Sequence, residues 1–142
     1  MPDDTPPPVS HILETALYVA DLDRARDFYT RLFGFTVHMQ DARMCALGVP
    51  GQGVLLLFRR GGSQLPSETP MGTIPAHDGR GVLHLAFAIP ADSLEAWSRH
   101  LDDAGIAVES RIKWPAGGVS LYFRDPDDHS VEVATPGLWP NY

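Results

Sequence analysis

The chain has 142 residues, of which 44% are hydrophobic and 20% charged, and its formal net charge is −7. A chain of this length is expected to form one domain with its own core. An acidic balance without a basic stripe excludes nucleic acid and an anionic membrane surface as partners. No apolar run approaches the roughly 20 residues that a membrane-spanning helix needs. The single cysteine, Cys45, cannot form an internal disulfide, so we expect a reducing, cytoplasmic location.

The first ten residues read MPDDTPPPVS. They are acidic and rich in proline, the opposite of a signal peptide. The sequence therefore predicts a disordered or extended tail over residues 1–10.

Two segments of the chain repeat one pattern: LETALYVADLDRARDFYTRLFGFTV (13–37) and LHLAFAIPADSLEAWSRHLDDAGIAV (83–108). Each passes from an alternating strand through a helix to a glycine, and then into a β-branched strand. Gly34 and Gly105 suit the left-handed position that ends many helices. A duplication within the chain explains the likeness.

The helix starts can be placed from their polar residues. Asp21 or Asp23 can cap the first helix, and Asp92 or Ser93 the second. Asp92 and Glu95 have the spacing of a capping box.

Strands are predicted after each helix, at about 35–40, 43–48 and 53–59 and again at about 107–113, 118–124 and 130–134. Each half therefore reads β-α-β-β-β, and the predicted fold class is α+β. We expect one domain over 11–136, made of module one (about 11–60), a linker (about 61–80) and module two (about 81–136), followed by a C-terminal tail at 137–142. The linker is long for a compact domain, and such loops often act as lids.

One motif occurs three times on the predicted strands: an ionisable residue, then alanine two places on, opposite the bulky apolar face. The ionisable residues are Glu14, His84 and Glu132. Alanine leaves space, so these faces are typical of a cavity lining. Unpaired buried carboxylates are costly, and a divalent cation would offset that cost. Oxygen and imidazole ligands suit Mn, Fe, Co, Ni or Zn, and three ligands leave coordination positions open for water and substrate.

Each residue has a simpler reading when taken alone. His84 would be a structural histidine, Glu14 would pair with Arg43, and Glu132 would pair with Arg124. The shared pattern at repeat-related positions favours the metal site.

The segments LYVADLDRARDFYTRLFGF (17–35), GVLHLAFAI (81–89) and YFRDPDDHSVEVATP (122–136) resemble the vicinal oxygen chelate superfamily. That superfamily includes glyoxalase I, extradiol dioxygenases, and fosfomycin- and bleomycin-resistance proteins. The resemblance implies two paired βαβββ modules forming a curved, cup-shaped mixed sheet around a metal, with the helices outside. It also implies that the metal ligands are Glu14, His84 and Glu132.

Glyoxalase I has a fourth ligand on the last strand of its first module, and here the matching position is Leu55 or Leu56. The resemblance implies a glyoxalase-like enzyme acting on a small oxygen-bearing substrate chelated to the metal. Glu132 or Glu14 would then be the base that takes a proton next to a carbonyl.

Two alternatives stay open from the resemblance. One is a metal-free protein that binds a small molecule or antibiotic, as bleomycin-resistance proteins do; those tend to lack the ligands. The other is a relative of ring-cleaving dioxygenases. Fosfomycin-type transferases bring basic residues to an anionic drug, and the spacing of Arg111, Lys113 and Arg124 decides nothing on that point.

Further residues are candidates for substrate contact. Tyr122 and Ser120 share the cavity-facing side of one predicted strand, and Trp114 precedes it as a rim aromatic or a loop anchor. His77 and Asp78 lie in the linker, where they would fold over the mouth. Short two-module relatives usually pair, so the resemblance also implies a homodimer.

Overall fold

The computed structural model describes residues 4–142. Module one contains strand β1 (Glu14–Val19), helix α1 (Leu22–Phe33) and strands β2 (Thr36–Gln40), β3 (Met44–Val49) and β4 (Gly53–Arg59). A hairpin follows, with strands β5 (Ser67–Thr69) and β6 (Gly72–Ile74). Module two contains strand β7 (His84–Ala88), helix α2 (Leu94–Asp103) and strands β8 (Ser110–Lys113), β9 (Val119–Arg124) and β10 (Ser130–Ala134). No helix among residues 4–142 has the length and apolar character needed to cross a bilayer.

The two halves have the same strand topology, which confirms the predicted α+β class and the βαβββ repeat. Each forms its own four-stranded mixed sheet, in the orders β1-β4-β3-β2 and β7-β10-β9-β8. In each sheet the first and last strands of the repeat pair in parallel, and the other pairs are antiparallel.

The start of α1 has the cap predicted from the sequence, and the start of α2 does not. Asp21 caps α1 by accepting the Arg24 backbone N–H, and Gly34 ends α1 with a left-handed φ of 73°. The capping box predicted for Asp92 and Glu95 is wrong, because the chain enters α2 through one turn of 3₁₀ helix. In that turn the Ser93 hydroxyl donates to the Pro90 carbonyl instead of capping α2.

The helix-facing sides of both sheets share one apolar core. Leu17 of β1, Leu57 of β4 and Val131 of β10 are at most 2% exposed and belong to one cluster with residues of both helices. The ring of Phe33, at the end of α1, packs against Phe87, Trp97 and Phe123 of module two. Cys45 lies in this core, where burial raises the pKa of its thiol. The opposite or open face of each sheet is exposed only in part: in the second sheet His84 is exposed, while Ser120 and Glu132 are buried.

A buried histidine joins the modules. His129 has no exposed surface, and its Nδ1 accepts the Leu83 backbone N–H at 2.9 Å. Its Nε2 lies 2.8 Å from the Tyr18 carbonyl oxygen in β1. Since a carbonyl only accepts, Nε2 carries the proton and both ring nitrogens are satisfied.

Two aspartates of the same turn, residues 125–129, complete the junction. Asp127 accepts the Ala20 backbone N–H and pairs with the guanidinium groups of Arg24 and Arg60. Asp125 is 4% exposed and accepts the Tyr29 hydroxyl at 2.7 Å. The turn of module two is therefore bonded to β1, to α1 and to the residue after β4.

We expect Tyr29→Phe to cost about 1–3 kcal/mol at neutral pH, because the Asp125 carboxylate would lose a buried donor. Burial, then the Asp125 charge, raises the pKa of Tyr29. A raised folded-state pKa contributes stability that is complete below the unfolded value of about 10 and is lost above it. In urea denaturation, the free energy of unfolding should therefore fall more steeply above a pH of about 10 in the wild type than in Tyr29→Phe. Tyr142→Phe, which removes a less buried hydroxyl, is the control. An equal fall in the free energy of unfolding of the wild type and of Tyr29→Phe at alkaline pH would contradict the stabilising role of the Tyr29 hydroxyl.

The segments outside the two modules are more ordered than the sequence predicts. The linker, predicted as a loop, contains the β5–β6 hairpin and then crosses the open face of the first sheet. The C-terminal segment folds back, with the Tyr142 hydroxyl donating to the Ile89 carbonyl at 2.8 Å. Residues 4–10 are exposed and contain no helix or strand, while residues 1–3 of the predicted tail lie outside the described part.

Candidate functional site

The open face of the second sheet carries a histidine–carboxylate pair. His84 begins β7, and Glu132 lies at the centre of the neighbouring β10. His84 Nε2 is 3.4 Å from Glu132 Oε1. The Glu132 side chain is 4% exposed and the His84 side chain is 52% exposed, so the pair is open on the imidazole side.

Both ring nitrogens of His84 face hydrogen-bond acceptors. His84 Nδ1 lies 2.9 Å from the Ser130 carbonyl oxygen, which can only accept, so Nδ1 carries the proton. In the neutral ring, Nε2 therefore presents a lone pair toward a carboxylate oxygen. Two acceptors this close need a proton or a cation between them. A cation held by both atoms fits this donor set.

Neighbouring residues hold Glu132 in place. The Ser120 hydroxyl donates to Glu132 Oε2, and the Trp114 indole N–H donates to that hydroxyl oxygen at 2.8 Å. Tyr122 lies opposite Glu132 in the β9–β10 register, and its ring centroid is 6.2 Å from that of His84. Burial and the Glu132 charge raise the pKa of the Tyr122 hydroxyl. The structure thus brings Trp114, Ser120 and Tyr122 together around the pair.

Glu14 lies elsewhere in the chain. It begins β1 of the first sheet and lines an open cleft of about 650 Å³ on that sheet's exposed face. Among residues 4–142, no three His, Cys, Asp or Glu side chains are grouped so as to hold a metal. Within this chain, then, two of the three predicted ligands meet and the third does not, because β1 and β10 belong to different sheets.

The linker borders one side of the first-sheet cleft, and its His77 contacts β1 and β4 there. The Tyr18 hydroxyl and His77 Nδ1 are 2.7 Å apart, and the His77 ring packs edge-on against Phe58 at 4.4 Å. A side chain at Gly79 would collide with the Tyr18 ring, so this glycine permits the close approach. Asp78, the other linker candidate, accepts from Gln64 and lies outside the cleft lining.

The simpler pairings considered for the two glutamates are not formed. Arg43 donates to the Ser63 hydroxyl rather than to Glu14, and Arg124 pairs with Glu109 rather than with Glu132. Leu56 faces the cleft while Leu55 is buried in the core, so Leu56 is the residue that would occupy the fourth-ligand position.

Sequence reasoning assigned no role to two residues of the cleft, His38 and Tyr18. Tyr18 shares the predicted face of Glu14 and Ala16, so the strand period was a usable signal for it. His38 lies at a β-bulge between β2 and β3, where the alternation of faces is interrupted and no period can place it.

With the fold and both open faces described, comparison with known proteins defines the class. The family model of the Glyoxalase/Bleomycin resistance protein/Dioxygenase superfamily matches residues 10–133, and the chain belongs to this superfamily.

The relatives that this chain resembles within the superfamily are named for different activities. The chain is similar to the crystal structure of lactoylglutathione lyase from Agrobacterium tumefaciens, with 34% identity and a TM-score of 0.86 over 94% of this chain and 99% of that one. It is 27% identical to glutathione transferase FosA of Serratia marcescens over 86% of this chain and 78% of the relative. It is 30% identical to metallothiol transferase FosB of Shouchella clausii over 92% of this chain and 83% of the relative.

Proposed function

We propose that the protein is a divalent-metal-dependent enzyme of glyoxalase type that acts on a small oxygen-bearing substrate. In this proposal His84 and Glu132 of one subunit hold the metal together with Glu14 of a second copy, in a homodimer. The observation that carries it is the pair of facing acceptors, His84 Nε2 and Glu132 Oε1, at 3.4 Å. The similarity to a lactoylglutathione lyase structure supports the glyoxalase type.

The ligand set suits Fe, Mn, Ni, Co or Zn, and a bound ion would act as a Lewis acid on the substrate oxygens. The two carboxylates then have different tasks. Glu132 is buried and fixed by Ser120, as a permanent ligand should be. Glu14 is exposed and has no hydrogen bond within the described residues, so its carboxylate is free to accept a proton from a carbon next to a carbonyl. The buried thiol of Cys45 fits a reducing, cytoplasmic setting.

A second candidate function is supported by the first-sheet cleft. Its lining is largely apolar, and the fourth-ligand position is Leu56. A metal-free protein that sequesters a small molecule or antibiotic would need such a cleft and no metal. A ring-cleaving oxygenase would also need the metal. Metal content therefore distinguishes the proposed glyoxalase-type enzyme from a metal-free binding protein, but not from an oxygenase.

Metal content therefore tests the proposal. Protein purified without a metal-affinity tag is expected to carry about one divalent ion per subunit, and Glu132→Ala should carry nearly none because a central ligand is lost. Glu95→Ala, which removes an exposed carboxylate of the same module, should keep the metal. Elemental analysis after extensive dialysis measures all three. Absence of stoichiometric metal from both the wild type and Glu132→Ala would favour the metal-free function.

A further inference from the structure

The first-sheet cleft has two chemically different ends. The β1–β4–β3 register arranges this face of the sheet in three rows across the strands. The rows are Glu14–Val54–Gly48, Ala16–Leu56–Ala46 and Tyr18–Phe58–Met44. Because four residues separate Glu14 from Tyr18, the outer rows are about 13 Å apart.

The middle row is small and apolar. Ala16 and Ala46 flank Leu56, and Met39 pairs with Ala46 from the next strand. The alanines on either side of Leu56 leave space above the sheet surface, and the lining residue Ile74 of the hairpin reaches the same cleft. A volume of about 650 Å³ with this lining is suited to the apolar body of a small molecule.

The far end is polar, and Arg43 is the cation among the lining residues there; the charge of Asp78 reaches Tyr18 at this end from outside the lining. Arg43 donates one N–H to the Ser63 hydroxyl, which leaves other donors of its guanidinium available. Within residues 4–142, no carboxylate lies within ion-pair distance of Arg43; Asp41 accepts from the backbone N–H groups of Arg43 and Met44 and interacts with the Arg43 charge at longer range. The Tyr18 hydroxyl and the His77 ring lie at the same end. Glu14 is the one carboxylate that lines the cleft in the described chain, and it lies at the opposite end.

We propose that this cleft selects an elongated carboxylate as the substrate class. The substrate's apolar body lies on the middle row, and its carboxylate binds Arg43 with help from Tyr18 and His77. Its other end carries the oxygen atoms that reach the metal near Glu14. This inference rests on the proposed function for the metal end only, since binding at the Arg43 end needs no metal.

Calorimetric titration of chelator-treated protein with decanoate, butanoate and decanamide tests the inference without the metal. Decanoate is expected to bind at least about tenfold more tightly than either of the others, because only decanoate has both the apolar body and the charge. Arg43→Met should weaken decanoate binding to the level of decanamide. Arg111→Met, which removes a charge of module two that pairs with Glu95, should leave decanoate binding unchanged.

Ala46→Leu provides a second variant that leaves Arg43 and its contact with Ser63 intact. It fills the middle row, so decanoate binding should fall while that of butanoate changes little. Equal binding of decanoate and decanamide, unchanged binding by Arg43→Met, or no binding of any probe would overturn the proposal. A protein that binds decanoate but holds no metal would refute the proposed function and leave this inference standing.

Discussion

An equal mixture of Glu14→Ala and Glu132→Ala subunits is expected to recover about a quarter of the wild-type metal content, although each variant alone binds nearly none. The reason is that the proposed site takes Glu14 from one subunit and the His84–Glu132 pair from the other. In a mixed dimer, the subunit that keeps Glu132 faces the subunit that keeps Glu14, which makes one intact site. The second site of the same dimer lacks both carboxylates.

The experiment is done by mixing the variants under conditions that exchange subunits, then dialysing against the metal and measuring bound ions. Sedimentation velocity at micromolar concentration checks that the wild type and the mixture are dimers. A mixture of Glu132→Ala with His84→Ala is the matched control, because these two losses fall on the same half-site and cannot complement. No recovery in the Glu14→Ala mixture, or a purely monomeric wild type, would contradict a shared site.

The second large effect is expected at the junction between the modules. His129→Leu should destabilise the protein by about 3 kcal/mol or more, because it leaves two buried backbone groups without partners. These groups are the Leu83 N–H and the Tyr18 carbonyl. Leucine has a similar size, so the loss reports hydrogen bonding more than packing.

Urea unfolding followed by far-ultraviolet circular dichroism measures the free energy of unfolding. His129→Gln should lose less than His129→Leu, since an amide can replace one of the two bonds. His11→Leu, at an exposed position before β1, is the control and should have little effect. A loss below about 1 kcal/mol in His129→Leu would show that the junction does not depend on this side chain.

The faces of the candidate site could be predicted because strand alternation is a local property. Glu14, His84 and Glu132 each lie on the side of a strand opposite the core, as the period of two requires. Whether the three residues converge in one cavity depends on how two sheets are arranged, and no local sequence pattern carries that information. The structure brings His84 and Glu132 together and leaves Glu14 on the other sheet.

The other differences between the predicted and the observed structure have the same physical origin. The strands of the β5–β6 hairpin are three residues long, too short to show a period. Asp125 and His129 belong to a polar turn, yet both are buried because their partners, Tyr29 and Tyr18, are about a hundred positions away in the chain. Long-range pairs of this kind are set by how the modules pack, which the composition of a turn does not encode.

The separation of the two open faces has a consequence for how such a chain diversifies. Under the proposed function, module two supplies two of the three metal ligands, while module one supplies Glu14 and the surface that recognises the rest of the substrate. Substitutions on the Ala16–Leu56–Ala46 row change the shape of the cleft without touching His84, Glu132 or the Ser120 that fixes it. A gene of this kind can therefore acquire new substrates through the apolar row in one half of its duplicated sequence, while Glu14 and the other half preserve the reactive centre.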